Sequence, residues 1–169
     1  MDTDLRIPLT SEQKARRAIE GSRRAFEAKP DSAQTCNHLA WDLVTAPESL
    51  RNAEEAVTLA EKAVRLAPDN AHYRNTLGVA YYRAGRYREA VETLRPNLTV
   101  HSDFALAFDL YFLAMSHHRL GDATRARDYY DWAVRWTKVR PILDPTELDE
   151  LTAFRAEAEE LLGIDRKKD

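Results

Sequence analysis

Asn75-Thr-Leu-Gly-Val-Ala-Tyr-Tyr-Arg-Ala-Gly-Arg-Tyr-Arg-Glu-Ala90 is the stretch on which the fold turns. In it Leu77, Gly78 and Tyr81 share one side of a helix, Gly85 interrupts that helix, and Tyr87 and Ala90 open the next. A small residue lets a neighbouring helix approach, a large one fills the space beside it, and a glycine permits the left-handed residue that turns the chain. The same spacing returns 36 residues on, where Leu113, Ala114, Gly121 and Ala126 repeat Leu77, Gly78, Gly85 and Ala90, and Tyr130 and Ala133 continue the second helix. Upstream, Leu39, Ala40 and Leu43 match a first helix, and Ala56, Ala60, Ala63 and Pro68 a second. Leu39 to Ala56 is 17 residues against 13 from Leu77 to Ala90, so the turn near Pro47 carries a four-residue insertion. Because an isolated helix pair cannot bury its apolar face, such units are expected to stack.

Leu77, Gly78, Tyr81, Gly85, Tyr87 and Ala90 stand at the offsets of a tetratricopeptide repeat, and the chain resembles that family from about Ala33 to Gly163. The cast of His38-Leu-Ala-Trp-Asp-Leu43 and of Asn75 to Leu94 is similar to the repeat modules of bacterial signalling proteins such as serine/threonine kinases. The resemblance implies an all-α protein, a right-handed α-α superhelix of about eight antiparallel helices. Its single domain would span 11–163: a half repeat at 11–32, repeats at 33–70, 71–104 and 107–140, and a C-terminal capping helix at 145–163, between a flexible N-terminus (1–10) and a charged tail (164–169).

The ends support this division. Ala18, Ser22, Ala25 and Pro30 keep the offsets of Ala56, Ala60, Ala63 and Pro68, and Thr10 with Gln13 forms a capping-box pattern ahead of that lone helix. Asp144-Pro145-Thr146-Glu147 is a helix start, Gly163 a stop. Between them Leu148, Leu151, Phe154, Ala158 and Leu161 form a stripe expected to cover the last repeat. Trp132 and Trp136 are expected to be core beneath that helix. Two irregularities stand out: Pro96 predicts a kink or early stop, and Asn97, where other units have alanine, predicts a looser junction between the second and third pairs, with a bend over 100–103.

Composition limits function. Hydrophobic residues make up 44% and charged residues 31% of 169, with five glycines and seven prolines, as in a folded helical domain. The net charge of -3 gives no global field to attract nucleic acid. No apolar run approaches a membrane span, and the single cysteine, Cys36, excludes an internal disulfide, so the chain reads as cytoplasmic. No catalytic residues, metal or cofactor are assigned: no phosphate loop, nucleophile elbow or zincin motif is present, and Cys36 and His38 do not face each other on a helix. His117 of the His117-His118 pair takes the core place of Tyr81.

In the family, the first helix of each pair lines a concave surface that receives a protein partner. Carried over, the lining is Asn37 and Trp41, then His72, Asn75, Val79, Tyr82 and Arg83, then Phe108, Tyr111, Met115, His118 and Arg119. Aromatic, Met and Arg side chains suit a peptide or helix partner; alternatively Phe108, Tyr111 and Phe112 pack beneath the connection after Val100 or against the capping helix. The family's two-carboxylate clamp for acidic chaperone tails is lacking, since Asn37, Trp41, Phe108 and Phe112 stand where it needs its basic and amide groups. The expected role is a non-catalytic adaptor or regulatory scaffold; the alternative is a structural subunit forming homo-oligomers through its terminal helices.

Overall fold

The computed structural model describes residues 8–100, 104–139 and 145–164. They form α1 (Ser11–Ala28), α2 (Ala33–Thr45), α3 (Ala53–Leu66), α4 (Ala71–Arg83), α5 (Tyr87–Leu94), α6 (Phe104–Arg119), α7 (Ala123–Val139) and α8 (Pro145–Leu162), with 3-10 turns at Glu48–Leu50 and Arg95–Thr99. No described residue lies in a strand. The expected arm at 1–10, bend at 100–103, Asp144 cap and tail at 164–169 fall wholly or partly outside the described residues.

Side chains set the helix starts. Thr10 and Gln13 make the expected capping box, and Ser32, Asn52 and Asn70 each accept a backbone N–H at the start of α2, α3 and α4. Gly85 and Gly121 end α4 and α6 with φ of 75° and 83°, a conformation that costs a glycine nothing. Each helix packs on its successor in the repeat, and α2, α4 and α6 also pack side by side. They form an inner layer, while α1, α3, α5 and α7 form an outer one, the arrangement of a helical repeat superhelix.

The small residues provide the close approach expected of them. A Cβ built on Gly78 would stand 2.3 Å from two side-chain atoms of Leu94, which is itself fully buried. Replacing Gly78 by Ala favours the helix by about 1 kcal/mol, but overpacking a filled core costs about 1–3 kcal/mol. With so short an approach to a fully buried neighbour we expect a net loss of about 1–2 kcal/mol, measured as a lower urea midpoint at unchanged slope; an unchanged or higher midpoint would show that Leu94 can yield.

Pro96 produces the early stop: α5 ends at Leu94 and the chain continues as a 3-10 turn. Asn97, in contrast, does not loosen the junction. It is fully buried, its amide donates to the Ala71 carbonyl at 3.2 Å and to Asp109 at 3.4 Å, and its oxygen accepts from Arg74 Nε at 3.0 Å. Asn75 donates to the same Asp109 carboxylate at 2.8 Å. The position that holds alanine elsewhere is here the centre of a polar network tying α4 to α6, because a buried amide is held firmly when its donors and acceptor are all met.

The larger correction concerns α8. It does cover the last repeat, but through α6 on the inner side of the superhelix and not through the side of α7 that carries Trp132, and it reaches α2 and α4. Trp132 is left 38% exposed and Leu148 52%, while Leu151, Phe154 and Ala158 are buried. Trp136 is half-buried against the core. The physical reason is complementarity: the inner layer offers Phe154 three aromatic neighbours and offers the acids of α8 a guanidinium and an indole N–H.

Candidate functional site

The concave face is floored by one aromatic residue or more from each inner helix. Trp41 of α2 stacks on Phe108 of α6 with ring centres 6.0 Å apart and planes 11° from parallel. Tyr82 of α4 meets Phe112 of α6 edge-on at 5.3 Å. Phe154 of α8 drops into the space above, its ring edge-on to Phe108 at 5.1 Å, Phe112 at 4.9 Å and Trp41 at 6.1 Å. Offset and edge-on pairs of this kind match a ring's negative face with another's positive edge.

Polar contacts bracket the ring. Trp41 Nε1 donates to Glu150 at 3.0 Å. The Arg83 guanidinium grips Glu157 with both terminal nitrogens, the Nη2 contact at 2.7 Å, and lies over the rings of Tyr82 and Phe112 at 5.5 and 5.3 Å. Arg51 stands near enough that burial and the Arg83 charge hold its pKa below the ordinary value, while Glu157 opposes them. Farther along α8, Glu159 is buried, accepting from Tyr130 at 2.8 Å and from Arg155 at 2.7 Å. Desolvation, then the Glu159 contact, pushes the Tyr130 hydroxyl up to about 12.

Beside the opening turns of α8 the groove stays open. A pocket of about 260 Å³ is lined by Asn37, His38, Trp41, His72, Asn75, Thr76, Ala105 and Phe108, with Thr146, Glu147 and Glu150 as its α8 wall. Asn37 Oδ1 is buried and has no hydrogen-bond partner. A second cavity of about 340 Å³, at the far end of α8, is lined by Tyr82, Arg119, Glu157, Glu160 and Leu161.

The structure sorts the lining read from sequence into four sets. Asn37, Trp41, His72 and Asn75 meet at the open pocket, although the Asn75 amide is already engaged by Asp109. Tyr82, Arg83 and Phe108 are groove residues that α8 covers or touches. Val79, Tyr111 and Met115 are fully buried and offer no groove surface. They are core because α4 and α6 have neighbours on several sides; every residue from Ala105 to His117 is buried, α6 lying among α4, α5, α7 and α8. Tyr111 meets Tyr130 of α7 at 6.1 Å rather than a groove. At the end of α6, His118 is half-buried, and exposed Arg119 stands by the Tyr82 hydroxyl. Phe108 and Phe112 thus follow the alternative of packing against the last helix.

His117 is a core residue, stacked on Tyr129 at 5.4 Å, with burial lowering its pKa against the pull of Asp122. Cys36 is buried and burial raises its thiol. Among the described residues no group of three or more His, Cys, Asp or Glu could hold a metal ion, and no helix is long and apolar enough to cross a membrane. Sequence reading did not assign the pocket residues His38, Thr76, Thr146 and Glu147 to the groove, nor Arg51, Glu150, Phe154 and Glu157. For the last three the signal was present: Glu150, Phe154 and Glu157 fall on one helical face, with acid on both sides of an aromatic ring, opposite an Arg- and Trp-bearing floor.

Comparison with known proteins agrees with this geometry. The model of a family described as anaphase-promoting complex, cyclosome, subunit 3, matches residues 49–133, half of the chain. A peroxisomal targeting signal receptor of Candida albicans is 31% identical over 105 residues, covering 60% of this chain; the chain spans 17% of that relative's length. Among solved structures, pilF of Pseudomonas aeruginosa superimposes with a TM-score of 0.61 at 19% identity, covering 89% of this chain and 68% of the other. MamA does so with a TM-score of 0.58 at 17% identity, covering 94% of both chains.

Proposed function

The chain belongs to the tetratricopeptide-repeat family whose model spans its middle, and from that premise we propose that it is a non-catalytic interaction module holding a partner protein in its concave groove. The observation that carries the reading is the open pocket beside Trp41, where an aromatic wall, two histidines and the buried, unpartnered oxygen of Asn37 converge. A buried acceptor without a donor is costly, and a backbone N–H of an incoming segment would relieve it. Aromatic anchors in a pocket rimmed by polar groups are the usual centre of a protein interface. The peroxisomal targeting signal receptor is, by its name, a receptor for a targeting signal, in keeping with a binding role here.

The test is affinity capture from native lysate with wild type and with a Trp41→Ala, Asn37→Ala variant of equal helicity. Proteins captured by wild type and at least tenfold depleted from the variant are expected. Equal capture by the two would move the interaction off the groove.

A further inference from the structure

The α8 segment carries six acidic residues and one basic residue, Arg155. On its groove side the order is Glu150-Leu151-x-x-Phe154-x-x-Glu157-Ala158, five residues that helical spacing places on one face. Leu151, Phe154 and Ala158 are buried, while Glu150 and Glu157 reach Trp41 and Arg83. The groove is therefore shaped and charged for an acidic amphipathic helix with an aromatic anchor between two carboxylates. Yet α8 is an incomplete ligand. Arg83 Nε, like Asn37 Oδ1, is buried without a hydrogen-bond partner, and Leu148 of α8 remains exposed.

We infer that α8 is an exchangeable occupant: the partner presents an acidic amphipathic helix of the same Glu-Leu-x-x-Phe-x-x-Glu register, and it binds by displacing α8 from the groove. This rests on the groove reading above and adds the partner's chemistry. A tethered helix competes at an effective concentration in the millimolar range. The partner helix must exceed that competition, and it can do so by supplying an acceptor to Arg83 Nε and a donor to Asn37 that α8 withholds. Whatever weakens α8 raises the apparent affinity for the incoming helix in proportion, because the free groove is then more populated.

The experiment uses the full chain and a fluorescein-labelled synthetic peptide with the sequence of residues 145–162, titrated by fluorescence anisotropy. The peptide should bind the Phe154→Ala chain at least tenfold more tightly than wild type and gain helicity on binding. A peptide with its own Phe154→Ala change should lose at least tenfold. Should Phe154→Ala unfold the protein, the Glu150→Gln, Glu157→Gln chain weakens the polar contacts of α8 to Trp41 and Arg83 without opening a cavity and should show the same order of affinities. Failure of the peptide to bind any folded variant would overturn the inference. If it fails while Trp41→Ala, Asn37→Ala still strips the captured partners, the helix-exchange idea falls and the groove reading stands. If light scattering finds a wild-type dimer that Phe154→Ala abolishes, the occupant is a second copy's α8 and the foreign-helix proposal is wrong.

Discussion

Replacing Phe154 by alanine is expected to destabilise the protein by about 3 kcal/mol, at the lower end of the range for truncating a buried phenylalanine, and to release α8 before the repeats unfold. Phe154 is 5% exposed and meets three rings at once, Trp41, Phe108 and Phe112. Its loss removes the apolar transfer energy and leaves a cavity between two helices that cannot close without moving Trp41. The repeats are packed independently of it through α2 to α7, so the damage should remain local at first. The measurement is Trp emission together with limited proteolysis. A red shift and new cleavage within α8 at denaturant concentrations where helicity persists is the expected result. Unaltered protection of α8 would mean that its charged contacts alone hold it.

Reversing Arg83 to Glu should cost about 3–5 kcal/mol, the scale for breaking a buried ion pair by removing one partner. The Arg83 side chain is 7% exposed, so the new carboxylate would sit buried against Glu157 and over two aromatic faces. Glu157 itself is 34% exposed, and water screens the half of the pair that it reaches. Adding Glu157→Arg to Arg83→Glu should therefore recover part of the loss, with a coupling of about 1–2 kcal/mol in a double-mutant cycle from urea melts. Arg51 sets a limit on that recovery, because it lies close enough to feel both charges and would face the guanidinium introduced by Glu157→Arg as a like charge. Additive effects of the two changes would show that the pair is not energetically coupled.

How far the sequence carries depends on the range of the interaction. Gly78 and Leu94, Gly85, Gly121 and Pro96 act within one helix pair, and each could be read from spacing because the partner lies at a fixed offset. The α8 stripe was equally visible, but an amphipathic face states only that something covers it. The side of α7 that carries Trp132 and Trp136 and the groove both satisfied that requirement, and the decision rested on Glu150 and Glu157 finding Trp41 and Arg83 across distances of 109 and 74 residues in the chain. Asn97 misled for the same reason. Beside alanine in the other units it reads as a defect, whereas Arg74, Asn75 and Asp109, spread over two other helices, make it a junction. Val79, Tyr111 and Met115 were misplaced because a first helix with neighbours on nearly every side has little concave surface left.

That junction also limits how the array can be rearranged. Solenoids are ordinarily modular, so that a unit can be duplicated, deleted or exchanged for a consensus copy with its interface intact. Here Asp109 of one unit is held by Asn75 and Asn97 of the unit before it, a lock and key with no counterpart where alanine fills the position. Splicing a generic repeat between the second and third units would separate key from lock. The last pair, and with it the helix lying in the groove, behaves as hereditary property of its immediate neighbour and not as a transferable part.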